Sequence, residues 1–190
     1  MTLYDLATLE LSGPTVRLAP LSLVHLADCA RVADDPALWT WWVREPPRDE
    51  AGMRREIEHA LALKARGMRL PFAIVRHADG ACIGSTSYLA FEPAHRSIEI
   101  GATWLASAHH GGGINRECKQ LLFGFAFERL GINRVVLQTD ALNLRSRRAI
   151  EKLGAHLDGI LREERVLWNG RVRSSAVYSL LRAEWPGTRA

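Results

Sequence analysis

The hydrophobic period changes abruptly in the middle of this chain. From Arg96 to Ala106 apolar residues alternate, with Ile98, Ile100 and Ala102 set against Ser97, Glu99 and Thr103. From there Ile114, Cys118, Leu121, Leu122 and Phe125 fall at helical spacing. The first pattern is that of a half-buried strand; the second is the buried stripe of a long helix, about Ile114 to Leu130. Gly111-Gly112-Gly113 stands between them. A strand that feeds a helix in this way points to a sheet with helices packed on it. The three glycines also bring backbone N–H groups and a helix N-terminus together, which suits an anion, although the same tripeptide serves equally well as a left-handed turn. Two tighter phosphate-binding patterns fail by spacing. Gly113 is followed by Ile114-Asn115 rather than Lys-Ser/Thr, and Arg116 occupies the place of the third glycine in a dinucleotide fingerprint.

The flanking segments extend this picture. Thr15 to Ala19 reads as a short strand ending at Pro20, Ser22 as the N-cap of a helix to about Val32, and Asp34 to Pro47 as a loop holding Trp39, Trp41 and Trp42. Asp49 opens a helix to about Arg66, closed by Gly67. Strands follow at Leu70 to Arg76 and Ala81 to Leu89, joined through Asp79-Gly80. Beyond the long helix come a strand from Arg134 to Thr139 and a helix from Asn143 to Leu153. Two last strands, Leu157 to Leu167 and Val172 to Leu181, flank the hairpin signal Asn169-Gly170. The order β-α-α-β-β-β-α-β-α-β-β predicts a mixed α/β fold, and no internal linker divides residues 1–190 into more than one domain.

Composition narrows the function classes. Of the 25 cations 22 are Arg, but a net charge of +4 does not demand a nucleic-acid partner. Three dispersed cysteines, Cys29, Cys82 and Cys118, read as reduced thiols of a cytoplasmic protein rather than a disulfide framework. No apolar run approaches the ~20 residues of a membrane helix, the first eleven residues do not read as a signal peptide, and the scattered histidines predict no metal site.

The ordered set of motifs resembles the GNAT N-acetyltransferases, in particular the RimJ/RimL-like branch that acetylates ribosomal-protein N-termini. The likeness runs from Glu99-Ile100-Gly101-Ala102-Thr103-Trp104-Leu105 through His110-Gly111-Gly112-Gly113-Ile114-Asn115-Arg116-Glu117. It continues through Thr139-Asp140-Ala141-Leu142-Asn143 with the following Leu144 to Ala155, and on to Trp168-Asn169-Gly170-Arg171, Val177-Tyr178-Ser179 and Glu184-Trp185-Pro186, spanning about residues 14–186. Two positions depart from the pattern: Ala108, where the family often has Arg or Gln, and His110, where this branch often has an aromatic.

The resemblance implies transfer of the acetyl group of acetyl-CoA to an amine by direct attack in a ternary complex. The acceptor is a protein or peptide N-terminal α-amine or a small-molecule amine. It places the pantetheine arm between two splayed parallel strands, those ending at Ala106 and Thr139, against the backbone of Trp104, Leu105 and Ala106. The amides of Gly111, Gly112, Gly113 and Ile114 would hold the pyrophosphate, with Asn115, Asn143 and Arg148 also on the cofactor and an N–H near Leu105 facing the thioester carbonyl. Arg116, Arg145 and Arg147 are further cations on that edge. Glu99 is the candidate base, with Asp140, Glu117 or a water relay as alternatives and a solvated strand carboxylate as the plain reading. Ser146 is the candidate hydrogen-bond donor to the thiolate, and Asn143 the helix cap and cofactor contact. A glutamate within Arg162-Glu163-Glu164-Arg165 corresponds to one implicated in this branch, its position uncertain by one or two. The tryptophans suit an acceptor groove, core packing or a dimer contact, so a homodimer is left open. A non-catalytic acyl-CoA-binding or regulatory protein of the same fold is the competing reading.

Overall fold

In the computed structural model, which describes residues 2–33 and 35–187, eight strands join into one sheet. Met1, Thr188 to Ala190 and Asp34, where the sequence places the start of a loop, lie outside the described residues. The strands are β1 (Leu11–Ser12), β2 (Val16–Pro20), β3 (Arg69–Arg76), β4 (Cys82–Glu92), β5 (Ser97–Leu105), β6 (Arg134–Asp140), β7 (His156–Val166) and β8 (Val172–Leu181). Their spatial order is β1-β2-β3-β4-β5-β6-β8-β7. Every neighbouring pair is antiparallel except β5 and β6, which need a crossover between them. The helices are α1 (Leu26–Val32), α2 (Glu50–Ala65), α3 (Ile114–Gly124) and α4 (Leu144–Glu151), and α3 supplies that crossover.

The sheet is covered by two separate apolar clusters. Ile114, Cys118, Leu122 and Phe123 of α3 and Ile150 of α4 pack with Ile98, Ile100, Val135 and Tyr178. Cys29 of α1, Met53 and Ile57 of α2 and Trp39 pack with Ala73, Val75 and Trp104. The apolar stripe read in the sequence is thus the α3 face of the first cluster. Asp49 caps α2 as its residue type requires, accepting from Gly52 N–H at 2.6 Å.

Several elements differ from expectation. β1 is too short for a period to register, and it adds a strand at the edge. The helix expected from Ser22 begins as a 3-10 turn over Leu23–His25, and Ser22 makes no side-chain cap; instead its N–H faces Nδ1 of His25 at 3.2 Å. Within the expected loop Pro36–Trp39 forms a 3-10 turn capped by Asp35. The last turn of the long helix, Phe125–Arg129, is a π-turn. The dispersed cysteines are not all distant: Sγ of Cys29 and Cys82 lie 3.4 Å apart as free thiols.

Candidate active site

The site is built from the one place where the sheet ladder opens. β5 and β6 pair only through Ser97–Arg134, Ile98–Val135 and Glu99–Val136, although both strands run on to Leu105 and Asp140. A bulge marks the divergence. Ser85 and Ser87 of β4 pair with Trp104 and Gly101, so β5 carries one extra residue, and Ala102 adopts φ +47°. Lys119 of α3 supports this stretch from below, its buried ammonium donating to Thr103 Oγ1 at 2.7 Å and Thr86 Oγ1 at 3.3 Å. Burial without a carboxylate pulls the Lys119 pKa down to about 8.

Past the bulge, the strand pattern decides which backbone groups face the gap. Ala106 N–H donates to Ile83 at 2.9 Å, and its carbonyl accepts from His109 N–H. By antiparallel alternation Trp104 and Ala106 turn toward β4, while Leu105, opposite Gly84, turns its N–H and C=O toward the opening. The Leu105 carbonyl accepts from His110 Nε2 at 2.8 Å, and Arg145 donates to Nδ1 of the same ring at 3.0 Å. Those two bonds assign the neutral Nε2–H tautomer to His110. Leu105 N–H is then the donor left facing the gap. The aromatic position at which this chain carries histidine therefore ties the glycine loop back to the strand end. The Trp104 ring packs in the core, 5.5 Å from Trp39.

The glycine loop follows a 3-10 turn, Ser107–His109, whose first hydroxyl donates to Asp35. Gly111 and Gly113 have φ of +78° and +89°, a backbone region that side chains rarely adopt, and Gly113 is the N-cap of α3. Glu117 N–H makes the first intrahelical bond, to Gly113 C=O, so the amides before it lack helical acceptors. Gly111, Gly112 and Gly113 are exposed, Ile114 is buried and Asn115 half-buried. Exposed donors at a helix start suit a phosphate.

On α4, Asn143 caps the helix by accepting from Ser146 N–H at 3.1 Å, with Ser146 half-buried on the first turn. The arginines divide. Arg148 is exposed without an ion pair among the described residues, Arg145 holds His110, and Arg147 is committed to Tyr178 Oη at 2.9 Å and Ala141 C=O at 3.2 Å.

Among the carboxylates two alternatives are already engaged. Glu117 Oε1 accepts from Thr15 and Val16 N–H at 2.8 and 3.0 Å, locking α3 to β2. Asp140, 2% exposed, accepts from Leu142 N–H and Arg171. Glu99 makes no such commitment among the described residues. It is half-buried on the polar face of β5, and burial pushes its carboxyl above the usual range, with the charges of Arg165, Glu164 and Arg173 also reaching it. Glu164 is the glutamate of its run that turns toward this face, accepting from Ser175 Oγ at 2.9 Å and Arg165 Nε at 2.8 Å. It gets there through a β7 bulge, where three residues sit between Leu161 and Arg165 against one between Ser175 and Arg173, with Glu163 at φ +50°.

A cleft of about 380 Å³ opens between the segment Val43–Pro47, α2 and the tip of the β7–β8 hairpin, with Arg55, Val166 and Trp168 on its walls. Of the tryptophan cluster, Trp39 is core: it is 2% exposed, its Nε1 donates to Ala33 C=O, and Trp42 meets it edge-on at 5.2 Å. Trp41 lies under the Arg171 guanidinium at 5.4 Å. The wall of the cleft is thus Trp168 rather than Trp39.

Comparison with known proteins gives the following. The family profile described as Acetyltransferase (GNAT) domain matches residues 15–156. YdaF of Bacillus subtilis (strain 168), provisionally named a ribosomal N-acetyltransferase, is 33% identical over 111 residues; the match covers 58% of this chain and 60% of YdaF. A crystal structure from T. thermophilus, titled provisionally as an acetyltransferase, is 38% identical with TM-score 0.85, covering 94% of this chain and 92% of its own. A GCN5-related N-acetyltransferase from Brucella melitensis is 28% identical with TM-score 0.87, covering 94% and 81%. Mycobacterium smegmatis RimJ in complex with CoA-disulfide shares the fold at TM-score 0.80 and 22% identity, covering 94% and 90%. No helix among the described residues is long and apolar enough to cross a membrane.

Proposed function

The chain belongs to the GNAT acetyltransferase family, and from that premise we propose that it transfers the acetyl group of acetyl-CoA directly to a primary amine, the N-terminal α-amine of a protein or peptide or a small-molecule amine. The observation that carries the reading is the three-rung β5–β6 ladder with Leu105 N–H turned into the opening beyond it. Acetyl-CoA supplies a thioester and three phosphates. The amides of Gly111, Gly112, Gly113 and Ile114, free of helical acceptors, receive the pyrophosphate, with Asn115, Asn143 and Arg148 alongside. Leu105 N–H donates toward the thioester carbonyl as negative charge develops on its oxygen, a role on the order of 3 kcal/mol in other enzymes. Trp104 and Ala106 shape the strand end rather than donate into the gap.

In the transfer the amine nitrogen bonds to the carbonyl carbon and the carbon–sulfur bond breaks. Glu99 takes the amine proton. A carboxyl raised by burial accepts that proton more readily than an exposed one, and an α-amine, with pKa near ~8, gives it up at little cost. Ser146 donates a hydrogen bond to the departing thiolate. The test is mass spectrometry of amines and peptides incubated with the protein and acetyl-CoA. One acceptor gaining an acetyl group supports the reading; CoA binding with no acetylated product from any amine favours the non-catalytic alternative.

A further inference from the structure

One buried charge on the Glu99 side of the sheet has no hydrogen-bond partner among the described residues. Arg173 of β8 is 7% exposed, and its Nε is sealed from solvent with no acceptor. The nearby carboxylates are already taken: Asp140 by Arg171 and Leu142 N–H, Glu164 by Arg165 and Ser175. The residue directly across the ladder is another cation, Arg165. A guanidinium has five N–H donors and keeps its charge, so burying one without hydrogen bonds is costly unless an anion arrives.

Its location indicates where that anion comes from. Ser175 pairs with Asp140, the last residue of β6, so Arg173 lies beyond the end of β6, at the open end of the gap. Alternation along β8 sends Ala176, Tyr178 and Leu180 into the α3 cluster and Arg173 and Ser175 to the opposite face, the one that carries Glu99. An acceptor presenting its amine to Glu99 would bring its neighbouring atoms toward Arg173.

We propose that Arg173 binds a carboxylate of the acceptor, so that the preferred substrate carries an acid group within a few atoms of the amine it acetylates. The inference rests on the transfer reaction proposed above and adds the charge of the acceptor. Two sources share this chemistry: the α-carboxylate of a free amino acid, and the acidic side chain of a first residue in a peptide. Either can take two parallel N–H bonds from the guanidinium, which lysine cannot reproduce.

The experiment uses matched acceptors: peptides beginning with Asp or Asn and with Glu or Gln for the side-chain source, and free alanine or its α-amide, alaninamide, for the α-carboxylate source. Each is assayed with acetyl-CoA on the unaltered protein, Arg173→Gln and Arg173→Lys. The acid member of at least one pair is expected to have the higher kcat/KM, by on the order of 10-fold or more, mostly through KM. Arg173→Gln erases that preference and Arg173→Lys keeps part of it; the pair that shows it identifies the source. Equal values for acid and amide in every pair, or a preference that survives in Arg173→Gln, overturns the proposal. Calorimetric titration of the same acceptors onto CoA-saturated protein separates this from the reaction itself. Arg173-dependent binding of the acid member without acetylated product would leave the carboxylate site standing and sink the transfer; acetylation with no acid preference would do the reverse. Because the guanidinium has no hydrogen bond to the protein to lose among the described residues, and the carboxylates whose charge reaches it, Asp140 and Glu164, keep their own partners, neither variant is expected to lower Tm. A lower Tm in both would assign Arg173 to the structure and count against the proposal.

Discussion

Glu99 and Lys119 are both ionisable groups moved by burial, in opposite directions along the pH scale. For Glu99 the raised pKa predicts that kcat/KM falls on the acid side around a midpoint above the ordinary glutamate value of about 4.3. Glu99→Gln should remove that limb and lower kcat/KM by roughly 10²–10⁴, read in a CoA-release assay across pH. An unchanged profile would move the base elsewhere, with Glu164 the nearest candidate. For Lys119 the folded pKa of about 8 lies below the unfolded 10.5. The unfolded chain therefore binds more protons between those values, and this group's penalty is full below pH 8 and fades as pH rises toward 10.5. Lys119→Met leaves the Thr86 and Thr103 hydroxyls bonded to each other at 2.8 Å. It should stabilise the protein at about pH 7 by up to roughly 3 kcal/mol and lose that advantage by about pH 10.5, measured by urea unfolding at both values. Glu99 could be read from strand alternation and the family likeness. Lys119 could not, because a lysine on the apolar side of a helix announces nothing about the two hydroxyls waiting across the sheet.

At the level of elements, the glycine loop and α3 carry most of what was legible. The change of period fixed their order, and Gly113 at φ +89° shows why the loop is glycine. Gly113→Ala should cost about 1 kcal/mol of stability and weaken CoA binding, whereas Gly131→Ala, strained at φ +66° at the opposite end of the long helix, should cost similar stability with CoA affinity intact. Isothermal titration of the two variants distinguishes them. Glu117 joins α3 to the start of β2 through two backbone N–H groups, so Glu117→Gln is expected to lower stability by about 1–2 kcal/mol while leaving catalysis largely unchanged. The β7 bulge was beyond the reach of the sequence. Arg162-Glu163-Glu164-Arg165 reads as an unbroken strand, and only two extra residues and a left-handed Glu163 turn Glu164 toward Ser175 and the face that carries Glu99. Periodicity cannot register a bulge, because the bulge is the point at which the period fails.

Across the whole molecule, the strand and helix order from β2 onward was readable because each element carried its own caps, turns and period. The placement of β8 between β6 and β7 and the separation of the core into two clusters depend on pairing across long stretches of chain. Only three residue pairs bridge β1–β5 to β6–β8 within the sheet. The sheet is therefore two stiff plates sharing a short seam, and an extended ligand lying along that seam would act as an additional strand. Slow amide exchange should reveal it. Without ligand, the amide of Leu105, turned into the opening where β5 and β6 no longer pair, should exchange faster than those of Phe72 or Ile74, which have ladder partners on both sides. Saturating CoA, on the order of 100-fold above its Kd, would add about 2.7 kcal/mol to global stability, and the seam amides should gain the most protection. Protection gained evenly over both plates, with none concentrated at the seam, would mean that the ligand binds without bridging them.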